Sequence, residues 1–341
     1  MISVNRYDRQ ILLPQIGPAG QAALAASRAV VVGCGALGCV LAEQLVRAGV
    51  GHLKIVDRDI VETTNLQRQT LFDESDARRG LPKAVAAANR LRSVNGEVNI
   101  EPIVSDLHAG NAEAILGSAL ILDGTDNAET RYLLNDIAVK NHIPWIYGAC
   151  VGVEGRMMAV RPGRTPCLRC IYPTPPAAGT VPTCDTTGVL GAVAAAVASM
   201  QAVAAIQLLI GAEPPAQLVS MDLWRGRLHG TPLDGPRGDC PCCGERRFEF
   251  LDRPVREPAA LCGRNAVQVQ PARQSEPVDL DLLAAKLRGV GVVELTPYLL
   301  RCRLEALAEL RLTLFADGRM IVHGTSDIDR ARSIYARYVG I

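Results

Sequence analysis

Glycines and an acid with the spacing of a nucleotide site lie near the start of the sequence. The turn GCGALG contains Gly33, Gly35 and Gly38, and Asp57 ends the next strand-like run, HLKIVD. Glycines at this spacing permit a tight turn and a close approach of phosphate to the N-terminus of the next helix, while the acid can hold ribose hydroxyls. The pattern therefore predicts nucleotide binding.

Three further side chains match a triphosphate better than a dinucleotide. Arg68, in TNLQRQT, offers a bidentate fork to phosphate oxygens, and Lys83, in LPKAV, offers a point charge. Asp126, in LDGTDN, follows a strand-like run and has the carboxylate that Mg²⁺ prefers beside phosphates. Each one alone is typical of a surface charge or a helix cap. Beside the glycine turn, the three together indicate an ATP site.

An NAD-dependent oxidoreductase is the main alternative for such a turn. Hydride transfer usually needs an acid–base group near the substrate, most often histidine. No histidine of this chain has evident catalytic surroundings in the sequence, and a GxxxxGK[ST] loop of the P-loop ATPases is absent from it. The five histidines are His52, His108, His142, His229 and His323.

The eleven cysteines include two CxxC pairs. Cys167 and Cys170 form the first pair, and Cys240 and Cys243 form the second. Two such pairs are typical of a closed, tetrahedral structural zinc site, although unligated thiols or a redox-active pair are alternatives. Cys242 competes with Cys243 as a ligand, and the CxxC spacing favours Cys243.

A further cysteine, Cys184, lies in the irregular stretch PTCDTTG, just ahead of an Ala-rich apolar segment. The N-terminus of a following helix would lower the pKa of its thiol and favour a nucleophile. An ordinary loop thiol is the other interpretation.

The elements that must position these residues alternate between strand and helix from residue 28 to about residue 150. This alternation predicts an α/β fold with a Rossmann-like, doubly wound, mostly parallel sheet. After Cys150 the pattern changes to an antiparallel extension. A Pro- and Arg-rich stretch then predicts a linker at 250–278, which leaves an ATP-binding domain at 1–249 and a small α+β appendage at 279–341.

Composition excludes several classes of protein. The formal net charge of +1 argues against binding nucleic acid through a basic surface. The most apolar run, Val189 to Ile210, contains Ser199, Gln201 and Gln207, so it is interpreted as a core helix and not a membrane span. The first residues have no apolar signal core, and the cysteine usage suits a reducing compartment. A cytoplasmic protein without membrane attachment is expected.

The ordered motifs from Arg6 to Gly244 resemble those of the ThiF/MoeB/HesA group of adenylyltransferases, relatives of the ubiquitin-activating enzymes. The motifs are RYDRQILLPQIG, VVVGCGALGC, VDRDIVETTNLQRQTLF, GLPKA, DGTDN, CLRC, PTCDTTGVLG and CPCCG. The resemblance implies adenylation by ATP of the C-terminal glycine carboxylate of a small ubiquitin-like sulfur-carrier protein ending in Gly-Gly, with release of pyrophosphate.

The resemblance also implies roles for single residues. They are ribose binding for Asp57, nucleotide binding for Asn65, phosphate binding for Arg68 and Lys83, and Mg²⁺ and reacting-phosphate contacts for Asp126. Arg9 resembles an arginine that reaches into the partner protomer's site, which implies a homodimer. A cysteine at the position of Cys184 is a nucleophile toward the activated carrier in some relatives and dispensable in others.

The sequence leaves the acceptor open. A peptide terminus or a tRNA base is an alternative acceptor within the same chemistry. Some relatives carry a sulfur-accepting rhodanese domain, but the tail after the expected linker is too short for one. The resemblance therefore implies a separate sulfur donor, or a chain whose role ends at adenylation.

Overall fold

The chain divides into two compact units, residues 1–253 and 254–341. The computed structural model describes residues 6–117, 119–176, 180, 184–252, 259–261, 265–270 and 278–340.

Eight strands of the first unit form one sheet. They are β1 Arg28–Val32, β2 His52–Asp57, β3 Asn99–Val104, β4 Leu120–Asp123, β5 Trp145–Val151, β6 Glu154–Val160, β7 Gln217–Asp222 and β8 Arg227–Pro232. Their order is β3-β2-β1-β4-β5-β6-β7-β8. The first five pair in parallel, and the last three extend the sheet with antiparallel pairing.

Helices cover both faces of this sheet. They are α1 Asp8–Ile11, α2 Gly17–Ala26, α3 Ala36–Ala48, α4 Glu74–Arg79, α5 Lys83–Val94, α6 Ala112–Leu116, α7 Ala128–Lys140, α8 Leu168–Ile171, α9 Cys184–Thr187 and α10 Gly191–Leu209. One apolar core contains side chains of α2, α3, α5 and α10, and a second contains side chains of α6, α7 and α8. The predicted doubly wound α/β class with an antiparallel extension is confirmed.

The sequence explains why β1 and α3 pack at the centre. Residues 29–32 of β1, Ala29 and three β-branched valines, are buried on both faces, as a central parallel strand requires. In α3, Leu37, Leu41 and Leu45 repeat every four residues and are all buried, which gives the helix one apolar side. Gly49 ends the helix in the left-handed conformation.

Helix α10 is, among the described residues, the one helix long and apolar enough by length and composition to span a membrane. It packs on α3 and on β4, β5 and β6, and Gln201 in its middle is fully buried. The core helices of globular proteins pass the same test, so its composition is weak evidence for a membrane span.

The second unit has an antiparallel sheet in the order β11-β12-β13-β14-β10-β9. Its elements are β9 Ala259–Leu261, β10 Ala266–Val269, α11 Leu280–Leu287, β11 Gly291–Leu295, β12 Leu299–Leu304, β13 Arg311–Phe315, β14 Met320–His323 and α12 Ile328–Tyr338. The expected α+β appendage is present, but it begins earlier than the sequence suggested. Strands β9 and β10 fall inside the expected linker 250–278, because β10 pairs with β14 far along the chain. The rest of that linker lies partly outside the described residues.

Candidate active site

The glycine loop joins β1 to α3 at the carboxyl edge of the parallel strands. Gly33 has φ +85°, and a Cβ there would lie 2.8 Å from the Gly124 carbonyl oxygen. A Cβ on Gly38 would overlap the Gly33 carbonyl oxygen, so Gly38 lets the helix approach the loop. At Gly35 the nearest atom to such a Cβ is 3.9 Å away. The loop thus leaves open space at a helix N-terminus, where a phosphate fits.

Asp57 closes this loop from the end of β2. Its Oδ2 accepts a hydrogen bond of 2.6 Å from the backbone N–H of Cys34, and its Oδ1 accepts one of 2.7 Å from that of Asp59. Burial raises the pKa of the Asp57 carboxyl, and the charge of Lys83 opposes that rise. Each carboxylate oxygen can accept a second hydrogen bond, so ribose hydroxyls can still bind a side chain that is already fixed.

Lys83 is buried at the start of α5. Its Nζ lies 3.1 Å from Asp59 Oδ2, and its own N–H donates to the Asp59 carbonyl oxygen. Its burial excludes the alternative that Lys83 is a solvated surface charge. A buried ammonium needs a partner of opposite charge, which here is a half-buried carboxylate that a phosphate could replace.

Arg58 was not singled out from the sequence, although it directly follows Asp57. Its Nη1 lies 3.1 Å from Asp106 Oδ1. Burial alone would lower the pKa of Arg58, but the carboxylates of Asp106, Asp59, Asp57 and, less strongly, Asp126 raise it. A second cation therefore faces the same edge, held by acids from β2 and from the segment after β3.

The segment TNLQRQT begins inside a 3-10 turn, Thr63–Asn65, and continues into a further turn. Asn65 is buried and caps the turn, because its Oδ1 accepts a hydrogen bond from the N–H of Glu62. Arg68 is partly exposed, and its Nη1 donates to the Thr64 carbonyl oxygen at 2.9 Å. Gln69 is buried near Gly35, and its Oε1 has no hydrogen-bond partner among the residues that the structure describes. Gln69 is a site candidate that sequence reasoning missed, although it lies in the quoted motif.

Asp126 is exposed on the loop between β4 and α7. Two contacts bring this loop to the glycine loop: the Gly124 N–H donates to Val32, and Gly124 packs directly on Gly33. The charge of Asp126 contributes to the raised pKa values of Arg58 and Arg131. The glycines, Asp57, Lys83 and Asp126, predicted separately, thus share one edge of the sheet, which we call the nucleotide edge. Arg68 packs against Gly191, the first residue of α10, because a Cβ on Gly191 would lie 3.4 Å from Arg68 Cβ. This contact places the Arg68 backbone near the nucleotide edge.

The two CxxC pairs also meet. Their sulfur atoms all lie within 4.8 Å of one another, with Cys170 Sγ to Cys243 Sγ at 3.3 Å and Cys167 Sγ to Cys240 Sγ at 3.6 Å. In a tetrahedral zinc site with Zn–S bonds of about 2.3 Å, the sulfurs are roughly 3.8 Å apart, so the four thiols fit zinc. We call these four residues the cysteine cluster.

Cys242 stands outside the cysteine cluster. Its sulfur accepts a hydrogen bond of 3.2 Å from Asn135 Nδ2, and Asn135 Oδ1 accepts one from the N–H of Leu168. The cluster lies toward the opposite edge of the sheet from the nucleotide edge, because α8 follows β6, whose last residue Val160 pairs with Trp145 at the start of β5.

Two predicted residues are not brought to the nucleotide edge by what the structure describes. Arg9 is exposed on α1, and its neighbour Gln10 donates to the Ala48 carbonyl oxygen at the end of α3. Since α3 begins at the glycine loop and is about 20 Å long, Arg9 is remote from the loop of its own chain. Helix α9, which starts at Cys184, contacts β5, but the side chain of Cys184 lies outside the described part of the structure.

The chain matches the ThiF family profile over residues 7–242. It is 46% identical over 340 residues to the sulfur carrier protein ThiS adenylyltransferase of Bacillus subtilis, covering 98% of this chain and 99% of that protein. The chain belongs to the ThiF family. The family profile ends at residue 242, close to the boundary between the two units at residue 253.

Other relatives match about three quarters of the chain. The SAMP-activating enzyme E1 of Haloferax volcanii is 40% identical over 252 residues, which are 73% of this chain and 92% of that protein. The sulfur carrier protein adenylyltransferase of Thermus thermophilus is 38% identical over 269 residues, 76% of this chain and 97% of that protein. The Escherichia coli enzyme MccB with ATP superposes with a TM-score of 0.63 at 21% identity, covering 71% of this chain and 75% of that one, which shows a shared fold.

Proposed function

We propose that this protein uses ATP to adenylate the C-terminal glycine carboxylate of a small ubiquitin-like sulfur-carrier protein ending in Gly-Gly. The observation that carries the proposal is the meeting of the glycine loop, Asp57, Lys83 and Asp126 at one edge of the sheet. That edge belongs to a chain that is 46% identical, over nearly its whole length, to a ThiS adenylyltransferase. A nicotinamide-dependent oxidoreductase is disfavoured, because two relatives, 46% and 38% identical to this chain, are named adenylyltransferases.

The chemistry suits a site without a histidine base. A C-terminal carboxylate has a pKa of about 3.5, so it is ionised at neutral pH and needs no proton removed. One carboxylate oxygen forms a bond to the α-phosphorus of ATP while the bond from that phosphorus to the pyrophosphate oxygen breaks. The products are an acyl-adenylate and pyrophosphate. The protein must therefore align the two reactants and neutralise the departing charge.

Each residue of the nucleotide edge has a role in this proposal. Asp57 binds ribose, and Asn65 supports the nucleotide by fixing the turn before Arg68. Arg68 and Lys83 neutralise the phosphates, with Lys83 leaving Asp59 for the nucleotide. Asp126 would hold Mg²⁺, whose charge helps the phosphates to accept an anionic nucleophile. The open space beside Gly35 receives the phosphate backbone.

A second copy of the chain completes the site in this proposal. Arg9 is exposed at the far end of α3 from its own glycine loop. An arginine there can serve a phosphate only in another protomer, so a homodimer in which Arg9 enters the partner's site accounts for its position. Cross-complementation between an Arg9→Ala chain and an Asp126→Ala chain tests this, because one of the two sites in the mixed dimer would then be intact.

The two kinds of cysteine have separate roles in this proposal. The cysteine cluster would hold Zn²⁺ as a structural metal with four thiolate ligands and no open position. The thiolate of Cys184, on the segment that leads into α10, would attack the acyl carbon of the carrier adenylate, so that a thioester forms and AMP leaves before sulfur transfer. A cytosolic setting, without nucleic acid or membrane as a partner, fits the use of ATP and a carrier.

The deciding experiment is ATP–pyrophosphate exchange with a panel of small ubiquitin-like carriers, each tested intact and without its last glycine. We expect exchange with at least one intact carrier and none with its truncated form. The absence of exchange with every carrier, while ATP still binds, would contradict the proposal. Exchange with a peptide terminus or a tRNA instead would show a different acceptor for the same nucleotide site.

A further inference from the structure

A buried ion pair lies directly beneath the loop that carries Asp126. Asp123, the last residue of β4, is fully buried, and its Oδ2 lies 3.3 Å from Nε of Arg131 in α7. The side chain of Arg131 is only 16% exposed. Burying two charges costs free energy unless further hydrogen bonds satisfy them, so such a pair calls for a reason beyond stability.

Three hydrogen bonds connect the pair to the loop that carries Asp126. Asp123 Oδ1 accepts hydrogen bonds from the Thr125 N–H at 2.9 Å and from the Thr125 hydroxyl at 2.7 Å. From the other side, Arg131 Nη2 donates to the Thr125 carbonyl oxygen at 2.5 Å. Thr125, the residue before Asp126, is thus held at three polar atoms by the two members of the pair.

Neighbouring elements fix the pair in turn. Gln201 of α10 donates from Nε2 to the Asp123 carbonyl oxygen at 2.9 Å, and the Arg131 guanidinium lies 5.7 Å from the centre of the Tyr147 ring. Gly124 packs on Gly33, so the same loop touches the glycine loop. Asp126 is the exposed residue of a loop whose other residues are held from inside.

The position of Arg131 also runs against local preference. It lies in the first turns of α7, near a helix N-terminus that disfavours positive charge. Tertiary contacts therefore maintain the arginine there, and a residue that breaks a local rule is often tied to function.

We propose that Asp123 and Arg131 are positioning residues that set Asp126 for the metal-bound triphosphate. This inference rests on the proposed function, because Asp126 is assigned to Mg²⁺ there. Neither residue needs to touch the nucleotide: the pair fixes Thr125, Thr125 fixes the direction of Asp126, and Asp126 meets the metal and phosphate.

The test measures ATP affinity by calorimetry with Mg²⁺ and with EDTA, for wild type, Arg131→Met, Asp126→Ala and the double variant. Wild type should bind ATP more tightly with Mg²⁺. Arg131→Met should lose most of that tightening, roughly tenfold, and stay within about threefold of wild type in EDTA. The double variant should bind no more weakly than Asp126→Ala alone, because the arginine acts through the aspartate.

Two further variants separate positioning from folding. Arg131→Lys keeps the cation beside Asp123 but loses the arginine fork, so it should fold and show an intermediate loss of the Mg²⁺ effect. Arg92→Met is the matched control, since Arg92 donates to the Ile100 carbonyl oxygen at the far end of α5 from Lys83. It should retain the full Mg²⁺ effect.

Two outcomes would overturn the inference: equal weakening by Arg131→Met with and without Mg²⁺, or effects of Arg131→Met and Asp126→Ala that add in full. ATP–pyrophosphate exchange, run in parallel, tests the proposed function separately. If wild type shows the Mg²⁺ effect and its loss in Arg131→Met but no exchange with any carrier, the positioning role stands and the proposed function fails.

Discussion

The nucleotide edge and the cysteine cluster are built on different principles. At the nucleotide edge, the glycine loop encloses open space, and Asp57, Lys83 and the Asp126 loop are held by neighbours that leave binding capacity unused. In the cysteine cluster, four side chains of one type turn toward each other, and three of them are buried. At a ligand-binding edge, the polar groups are held in place but can still bind a ligand. In a structural metal site, the ligand side chains face one another and leave no position open.

The difference also shows in how each region connects the chain. The nucleotide edge gathers loops that follow successive parallel strands. The cysteine cluster joins two segments separated by the 69 residues 171–239, including the stretch that carries Cys184. The first region should therefore control catalysis with little effect on folding, and the second should do the reverse.

The largest expected effect is on catalysis at the nucleotide edge. Asp126→Ala should lower ATP–pyrophosphate exchange by at least roughly 100-fold, because the Mg²⁺ that Asp126 would hold neutralises negative charge that develops on the phosphates in the transition state. The melting temperature should stay near that of wild type, since Asp126 is exposed. Asp234→Ala, another exposed aspartate, is the control and should leave both unchanged. Near-normal exchange in Asp126→Ala would remove the aspartate from the site.

The next effect is on stability at the cysteine cluster. Cys240→Ser should abolish stoichiometric zinc and lower the melting temperature by roughly 10 °C or more, because metal binding contributes free energy of folding. ATP should still bind to the folded fraction, since the nucleotide edge is elsewhere. Metal content by elemental analysis and thermal unfolding measure the two parts.

Cys242→Ser is the matched control for that variant, because Cys242 is buried beside the cluster and its sulfur accepts a hydrogen bond from Asn135. Zinc should persist at about one per chain in this variant, in keeping with four ligands in the site. If zinc is lost from Cys242→Ser and kept in Cys243→Ser, the choice of the fourth ligand is wrong.

A smaller and more specific effect on activity is expected from Cys184, which lies in the sequence between the two CxxC pairs. Cys184→Ser should leave exchange within about threefold of wild type, because adenylation precedes attack by the thiol. The covalent carrier–enzyme adduct should disappear from non-reducing gels and intact-mass spectra. An adduct that persists in Cys184→Ser would exclude this cysteine as the nucleophile.

The smallest effect should follow removal of the second unit. Truncation after Asp252 is the informative cut, because a cut at 278 would leave β10 without its partner β14. Exchange should change by less than about threefold, since the first unit has its own two cores, and a relative matched over 269 residues, 97% of its own length, is named a sulfur carrier protein adenylyltransferase. A loss of carrier-dependent exchange with ATP binding intact would instead assign the second unit to carrier docking.

Much of the nucleotide edge could be predicted from short motifs because parallel strands end at a common edge. Once β1, β2 and β4 are strands, Gly33, Asp57 and Asp126 must follow their carboxyl ends and come close. Lys83 at the start of α5 belongs to the same geometry. Short motifs could not predict burial. Taken alone, Lys83 is typical of a surface charge, and only the structure shows that it is buried and paired with Asp59.

The sequence was less informative where pairing is remote. Strands β9 and β10 read as linker, because both are short and β10 pairs on one side with β14, which is distant in the sequence. Strand β11, the five-residue run GVVEL, was not predicted either, although its partner β12 is the next strand along the chain. Gln69, Arg58 and the Asp123–Arg131 pair were also missed. Their polar types are common on surfaces, and only burial shows that each needs a partner.

By itself the sequence determined the class of fold, the glycine turn and its acid, and the two CxxC pairs, because these depend on local periodicity and fixed spacing. Only the tertiary structure decided which cations are buried, which four sulfurs meet, and which residues hold the Asp126 loop. Those properties depend on groups brought together from distant parts of the chain. In particular, the charges of Asp123 and Arg131 are stable in the interior only because folding pairs them.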